Sequence, residues 1–323
     1  MKDIRTIYVG HFSYVLGDLE QTVEQTIEQN RTVIKDPEKF RSAGFDKHHI
    51  CSPSTTAYDL AVAAVNPIAK HLYQVGAIIY STALPVNANI GTTFEETKDI
   101  KDLTDFPGSH LQSDFGLNDA WVIGLDQQAC TGMIGSFKLA AALLRDTPQW
   151  SQILCVTSDR FPQGSLYEQS YSLISDGASA FIISTEPIPG GFRYVEHHAI
   201  TNGGMANTND DASIGNFFPN TIDCITMNVK RAGLELKDIN WMVVQNINVN
   251  AWKIICNPSL LDYDITRVFH PSLPMMGHMI SGDCIVNTQM LIESRKVKPG
   301  DYVLLYMVGY GLTWQSVILQ YCG

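Results

Sequence analysis

Basic residues are scarce in this chain: 22 lysines and arginines stand against 33 aspartates and glutamates in 323 residues, a formal net charge of −11. That balance gives no electrostatic reason to bind DNA, RNA or an anionic membrane. Long apolar runs are missing too. None reaches the ~18 residues of a membrane span, and the N-terminal MKDIRTIYVGHFSYVLG lacks the apolar core of a secretion signal. The seven cysteines (Cys51, Cys130, Cys155, Cys224, Cys256, Cys284, Cys322) are odd in number and never close in sequence. There is no C-x-x-C pair and no Cys/His spacing of a zinc site. Together these absences read as a cytoplasmic chain with reduced thiols and no metal. Charged residues make up only 17% against 45% hydrophobic, a composition that excludes disorder and can bury a large core.

The length exceeds a usual single domain and predicts two domains or two fused, similar halves. Short β-branched runs read as strands: TIYVG (6–10), GAIIYST (76–82), AWVIGLD (120–126), QILCVTS (152–158), ASAFIIS (178–184), WMVVQN (241–246), YVLLYMV (302–308) and SVILQY (316–321). Several are apolar throughout, as strands covered on both faces are. Helical patterns lie between them at 57–74, 131–146, 222–233 and 282–296. The alternation predicts an α/β protein with mostly parallel sheets. The strand–helix–strand run at 120–158 is echoed in its helix-then-strand part at 277–308, consistent with duplication of one unit. The Gly/Pro-rich TEPIPGG (185–191) marks the boundary, dividing the chain into 1–187, which carries Cys130, and 188–323. With no linker-like tract, the halves are expected to pack as one body.

Cys130, in DQQACTGMIG, is the thiol whose position asks for an explanation. The helix after it has Met133, Ile134, Phe137, Ala140, Ala141 and Leu144 spread around its circumference, the mark of a buried helix. Cys130 therefore stands where unsatisfied backbone N–H groups and the helix dipole favour a thiolate. An isolated cysteine is also a common small core residue, so position alone leaves both readings open. The Gly-rich loops SDGASA (175–180) and GYGLTW (309–314) allow close backbone approach to a ligand, or simply turn tightly. Neither is a phosphate loop or a dinucleotide fingerprint.

QACTGMIGSFKLAAALLR, SDGASAFIIS and VKPGDYVLLYMVGYGLTWQSVILQY resemble, in order and spacing, three signatures of the ketoacyl synthase III branch of the thiolase superfamily. The resemblance runs from about residue 50 onward, with GFDKHHI (44–50) a faint echo of the family's G-I-x-x-R. It implies two duplicated βαβαβαββ halves in a five-layered αβαβα arrangement, normally dimeric. It also implies ping-pong chemistry: a cysteine, here Cys130, takes an acyl group from coenzyme A or a phosphopantetheine-loaded acyl carrier protein and passes it on. No bound cofactor is implied, and the carrier needs only a local basic mouth. The family oxyanion hole uses the backbone N–H of the cysteine and of the closing Gly-rich loop, which points to Cys130 with Tyr310 or Gly311.

Two positions depart from the family pattern. Condensing members use a histidine and an asparagine to hold the malonyl thioester oxygen during decarboxylation. Where the histidine is expected, WMVVQNINVN holds Gln245, followed by Asn246 and Asn248 as candidate substrate-binding residues. Where the asparagine is expected, GHMISGD holds His278, in a G-H-x-x-S-x-D pattern that resembles a variant of this branch. Gln245 keeps an N–H donor but cannot shuttle a proton near neutral pH. His278 is able to act as donor or as base toward an incoming hydroxyl, amine or carbon acid; its alternative is a structural histidine orienting the following helix. His270 is a lesser candidate. His197 and His198, adjacent and so pointing to opposite faces of any strand, read as a surface or interface feature.

These features predict an acyltransferase of specialised metabolism, such as polyketide biosynthesis, with an acyl–Cys130 intermediate. The alternatives are a decarboxylative condensing enzyme with a Cys/Gln/His site and a catalytically silent subunit of a heterodimer. A homodimer, or a heterodimer with a related subunit, is expected. Segments around 80–115 and 200–220 are expected to line the acyl pocket.

Overall fold

The computed structural model describes residues 5–84, 92–169, 172–205, 210–310 and 312–323. Ten strands form one hydrogen-bonded sheet: β1 (Tyr8–Leu16), β2 (Val75–Ser81), β3 (Trp121–Leu125), β4 (Gln152–Asp159), β5 (Gly177–Ser184), β6 (Phe192–Thr201), β7 (Ile239–Val244), β8 (Val268–Phe269), β9 (Tyr302–Gly309) and β10 (Thr313–Tyr321). Their order is β8-β7-β9-β10-β6-β1-β5-β4-β2-β3. Each set of five therefore repeats one plan, read from the outer edge inward as third, second, fourth, fifth and first strand. In both sets the second strand runs parallel to the third and fourth, while the fifth is antiparallel to its neighbours. The sets meet where β1 and β6 pair at Tyr8↔Arg193 and Val9↔Phe192.

Four helices complete the layers: α1 (Ala57–Val65), α2 (Gly132–Asp146), α3 (Asp210–Arg231) and α4 (Asp283–Glu293). Helix α2 packs on β2, β4 and β5 of the first set and on β9 and β10 of the second; α4 packs on β1 and β5 and on β7 and β9. Both therefore lie between the two halves of the sheet. Helix α1 covers the outer face of the first half and α3 that of the second. The result is the thiolase-like five-layered α/β arrangement. Met133, Ile134, Phe137, Ala140, Ala141 and Leu144 are all fully buried, and each of the larger side chains contributes about 1.5–3 kcal/mol by leaving water. That burial anchors the helix that carries Cys130 at its start.

Three elements differ from the sequence pattern, each for a local reason. Strand β6 pairs with β10 from Phe192↔Tyr321 to Thr201↔Thr313, yet Arg193, Glu196, His197 and His198 conceal its alternation. Helix α3 runs through Pro219 to begin at Asp210, whereas a proline normally argues for a helix boundary. The helix expected over 57–74 gives way after Val65 to a 3-10 turn, Asn66–His71, with Pro67 in its first turn. Of the expected pocket segments, residues 85–91 and 206–209 lie outside the described residues.

Candidate active site

Cys130 occupies a single 3-10 turn, Ala129–Thr131, that leads directly into the 15-residue helix α2. It is 6% exposed, at the positive end of the helix dipole. The turn is strained: Ala129 has φ +43°, a left-handed backbone costing an alanine about 1–2 kcal/mol. Thr131 stabilises it by donating both its N–H (3.0 Å) and its hydroxyl (2.7 Å) to the Gln128 carbonyl. The end of β9 closes against it. A Cβ on Gly309 would lie 2.7 Å from Gln128 O and 3.1 Å from Cys130 N, so only glycine permits that approach. The chain at 309–310 is thereby delivered beside the Cys130 amide. Tyr310 is half-exposed there, and Gly311, the other oxyanion candidate, lies outside the described residues.

His278 reaches the thiol from the loop before α4. Gly277 turns that loop with φ +59°, and a Cβ on it would strike Leu173 O at 2.6 Å. The His278 backbone is then fixed on both sides, its N–H donating to Leu173 O (2.7 Å) and its carbonyl accepting from Ser175 N (2.9 Å). Ser281 ties the same loop to the nucleophile turn, donating to Ala129 O at 3.0 Å. The imidazole is buried, with Nδ1 2.5 Å from Asp283 Oδ2. Cys130 lies close enough to the ring to act on its charge. Burial works against the charged imidazolium. The Asp283 carboxylate outweighs it through charge and hydrogen bond, the Cys130 sulfur adds to this, and the net effect is a pKa raised above the ordinary 6.5.

Asp283 is the residue the sequence reading passed over. It is fully buried at the first position of α4, where an acidic residue is usual for dipole reasons alone. Oδ2 also accepts from Asn246 N (2.8 Å), and Oδ1 accepts from Met279 N (2.6 Å). The signal was available in the His–x₄–Asp spacing of GHMISGD, but a carboxylate opening a helix reads first as a cap. Asp283 itself accepts from the Met279 amide, while the His278 ring is tied to this first residue of α4.

The other candidates separate. Gln245 is buried, and its Oε1 accepts from Val308 N (2.8 Å), one residue before Gly309. Its Nε2 has no partner among the described residues and remains a donor. Asn246 does not fit its expected substrate-binding role. Its Nδ2 donates to Ser272 Oγ (2.8 Å) and Gly277 O (2.6 Å), and its Oδ1 accepts from Asn287 Nδ2 (3.0 Å). With every side-chain polar atom engaged inside the protein, Asn246 shapes the His278 loop instead. Asn248 caps the helix Val249–Ile255 by accepting from Asn250 N (2.9 Å). His270 is half-buried with its pKa lowered by burial, and its Nδ1 has no hydrogen-bond partner among the described residues; His278 holds the carboxylate. The expectation for His197 and His198 needs correction. They do face opposite ways, but His197 is buried against Gln315 while His198 meets Arg231. The polar composition of β6 had suggested surface.

Among the described residues no group of three or more metal-binding side chains occurs, and no helix is long and apolar enough to cross a membrane.

Known proteins resemble this chain in sequence and in fold. The sequence profile of the 3-oxoacyl-[acyl-carrier-protein] synthase III C-terminal family matches residues 229–321. The β-ketoacyl-[acyl-carrier-protein] synthase III of Wolbachia pipientis from Culex pipiens is 25% identical over 299 residues, covering 86% of this chain and 88% of the relative. Synthase III 2 of Staphylococcus epidermidis is 24% identical over 94% of this chain and 93% of its own. Among solved structures, the acyltransferase ChlB3 superposes with a TM-score of 0.81 at 19% identity, over 98% of both chains. FabH, the 3-oxoacyl-(acyl carrier protein) synthase III of Pseudomonas aeruginosa, superposes with a TM-score of 0.79 at 16% identity, over 99% of both. Fold, ordered motifs and relatives converge: the chain has the fold of the ketoacyl synthase III structures and is similar in sequence, over most of its length, to β-ketoacyl-[acyl-carrier-protein] synthases III.

Proposed function

We propose that this protein is an acyltransferase that loads an acyl group onto Cys130 and passes it to a hydroxyl, amine or thiol, using His278 as the proton carrier and Asp283 as its anchor. One observation carries the reading: the buried His278 is bound through Nδ1 to the Asp283 carboxylate and is near enough to Cys130 to feel its charge. That is the nucleophile–base–orienter arrangement of acyl-transfer sites.

With its pKa raised, His278 is suited to take the Cys130 proton, which leaves imidazolium and thiolate. The thiolate attacks the carbonyl carbon of an acyl-thioester, and the oxyanion is met by backbone N–H groups at Cys130 and Tyr310 or Gly311. Collapse breaks the C–S bond to the departing thiolate, which takes the proton from His278. The sulfur is now a neutral thioester, so one of the influences that raised the His278 pKa is gone. The ring is left as a free base, its Nδ1–H held by Asp283. It removes the proton of an acceptor as that group attacks the acyl carbon, and collapse returns thiolate and imidazolium.

Decarboxylative condensation makes a different demand, two donors aimed at one thioester oxygen. Here Nδ1 of His278 is committed to Asp283 and the other nitrogen to proton transfer, leaving Gln245 Nε2 as one side-chain donor. Loss of one such donor costs about 10²–10³ in rate. Relatives on this fold bear the names of both acyltransferases and ketoacyl synthases, so the site rather than the fold must decide. The free Gln245 donor favours condensation as the second reading. Acyl donors are coenzyme A or acyl-carrier-protein thioesters, the product belongs to specialised metabolism such as polyketides, and the assembly is a homodimer or a heterodimer with a related subunit.

Intact-protein mass spectrometry with a panel of acyl-thioesters, followed by a panel of acceptors, tests the reading. One acyl mass on Cys130, discharged by a hydroxyl, amine or thiol, is the expected result. Carbon dioxide release from malonyl-thioester at a rate matching turnover would overturn it in favour of condensation. In the transfer reading that release is slow, and Gln245→His accelerates it.

A further inference from the structure

A buried hydrogen-bond chain outside the Cys–His–Asp group ends on the nucleophile turn. Gln315 on β10 donates from Nε2 to Thr131 Oγ1 (2.9 Å) and to Gln128 Oε1 (3.0 Å). His197 on β6 lies with Nε2 3.0 Å from Gln315 Oε1. The direction of the chain is fixed by its far end. The Thr131 hydroxyl proton is given to Gln128 O, so Thr131 Oγ1 only accepts and Gln315 must present its NH₂ there. Gln315 Oε1 then faces His197, whose Nε2 must carry the proton. Burial holds this imidazole neutral, its pKa down at about 4, so the Nε2–H tautomer is the working form.

We infer that His197 and Gln315 are positioning residues for Cys130, clamping the strained 128–131 turn through Thr131 and Gln128. The inference deepens the proposed acyl transfer and rests on Cys130 being its nucleophile. Its physical basis is the strain at Ala129, since a left-handed alanine persists only where the surroundings over-determine it. From the His278 side, Ser281 restrains the turn by donating to Ala129 O. From the other side the restraint is Gln315, itself oriented by His197. Both line a cleft of about 380 Å³ beside Gln128, Gly135 and Lys138. Without the clamp the turn relaxes, and the thiol and its amide lose register with His278. Displacement by about 1 Å at a reacting group costs on the order of 10²-fold.

The test measures the iodoacetamide alkylation rate of Cys130, read from its own peptide because Cys322 is exposed, alongside kcat and KM for an accepted acyl-thioester. His197→Phe and Gln315→Met, which keep volume and remove the hydrogen bonds, are expected to slow alkylation and lower kcat by about 10- to 100-fold, with KM little changed. His197→Gln, which restores a donor toward Gln315 Oε1, is expected to recover to within about 3-fold of the unmodified protein on the same scale. An unchanged rate in His197→Phe, or His197→Gln as slow as His197→Phe, overturns the inference. Where these variants do not fold, Thr131→Val cuts the chain at its other end; a slowed alkylation rate there supports the inference, and an unchanged one overturns it. Alkylation needs no acyl donor, so failure of the acyltransferase reading appears separately as an unmodified protein that never takes an acyl mass.

Discussion

His278 Nδ1 and Asp283 Oδ2 lie 2.5 Å apart with both side chains buried, a contact between a loop and the first residue of the helix that follows it. A buried ion pair is costly unless its remaining hydrogen-bonding capacity is met. Here the Asn246 and Met279 amides meet it on the carboxylate. Removing either partner is therefore a chemical as well as a structural perturbation.

Asp283→Asn retains volume but not charge, so the imidazole loses the influence that raises its pKa. We expect kcat to fall by about 10³–10⁴, the scale of orienter loss in Ser–His–Asp sites. The alkaline limb of the loading rate should also move to lower pH, toward the ordinary histidine range near 6.5. Asp283→Ala should in addition destabilise the fold by about 3–5 kcal/mol. An unshifted pH profile in Asp283→Asn would detach the carboxylate from the chemistry.

Labelling should distinguish Cys130 from every other buried cysteine. Burial pushes the thiols of Cys155 and Cys224 up to about 12 and Cys256 to about 11, and those of Cys51 and Cys284 are raised as well; thiols so shifted are un-ionised and inert. An acyl-thioester should add one acyl mass, on the peptide DQQACTGMIG. Persistence of the adduct in Cys130→Ala would contradict the assignment.

Stability should peak near pH 6.5. Burial lowers His48 and His197 to about 4. Below about 6.5 the unfolded chain therefore binds protons that the native one does not, and stability falls as pH drops toward 4, by no more than about 3 kcal/mol for each histidine. His278 is raised, so the stability it contributes is fully present below 6.5 and is lost as pH climbs through its native value. Denaturant midpoints across pH 4–10 check both limbs; a monotonic curve would refute the pairing of causes.

Strand β3 is a sheet edge: among the described residues it pairs only with β2, and Trp121 on it is 58% exposed. Unprotected edges invite pairing, and we expect a dimer through this edge, burying more than ~2,000 Å². Sedimentation should show dimers at micromolar concentration, and Val122→Pro, which removes a backbone donor from this strand, should yield monomers. A monomeric unmodified protein would exclude this edge as an interface.

Much of this protein was legible from neighbours along the chain. The strand–helix alternation, the buried helix 132–146 and the cysteine at its start follow from patterns of a few residues, because apolar periodicity is a local record of which faces are covered. His278 and Gln245 were legible as departures from a family motif, since they occupy the motif's own places. What the tertiary structure decided is the company each group keeps. Ser281 reaches Ala129 across 152 residues, Gln315 reaches Gln128 across 187, and His197 is buried on a strand whose composition looks exposed. Asp283 stands five residues from His278 in sequence, yet nothing local separates a helix-opening acid from a catalytic anchor. The distinction arises only when the loop at Gly277 folds onto Leu173 and brings the imidazole onto the carboxylate, near the thiol. Local sequence sets which elements form, and the packing of the two halves sets which side chains meet between them.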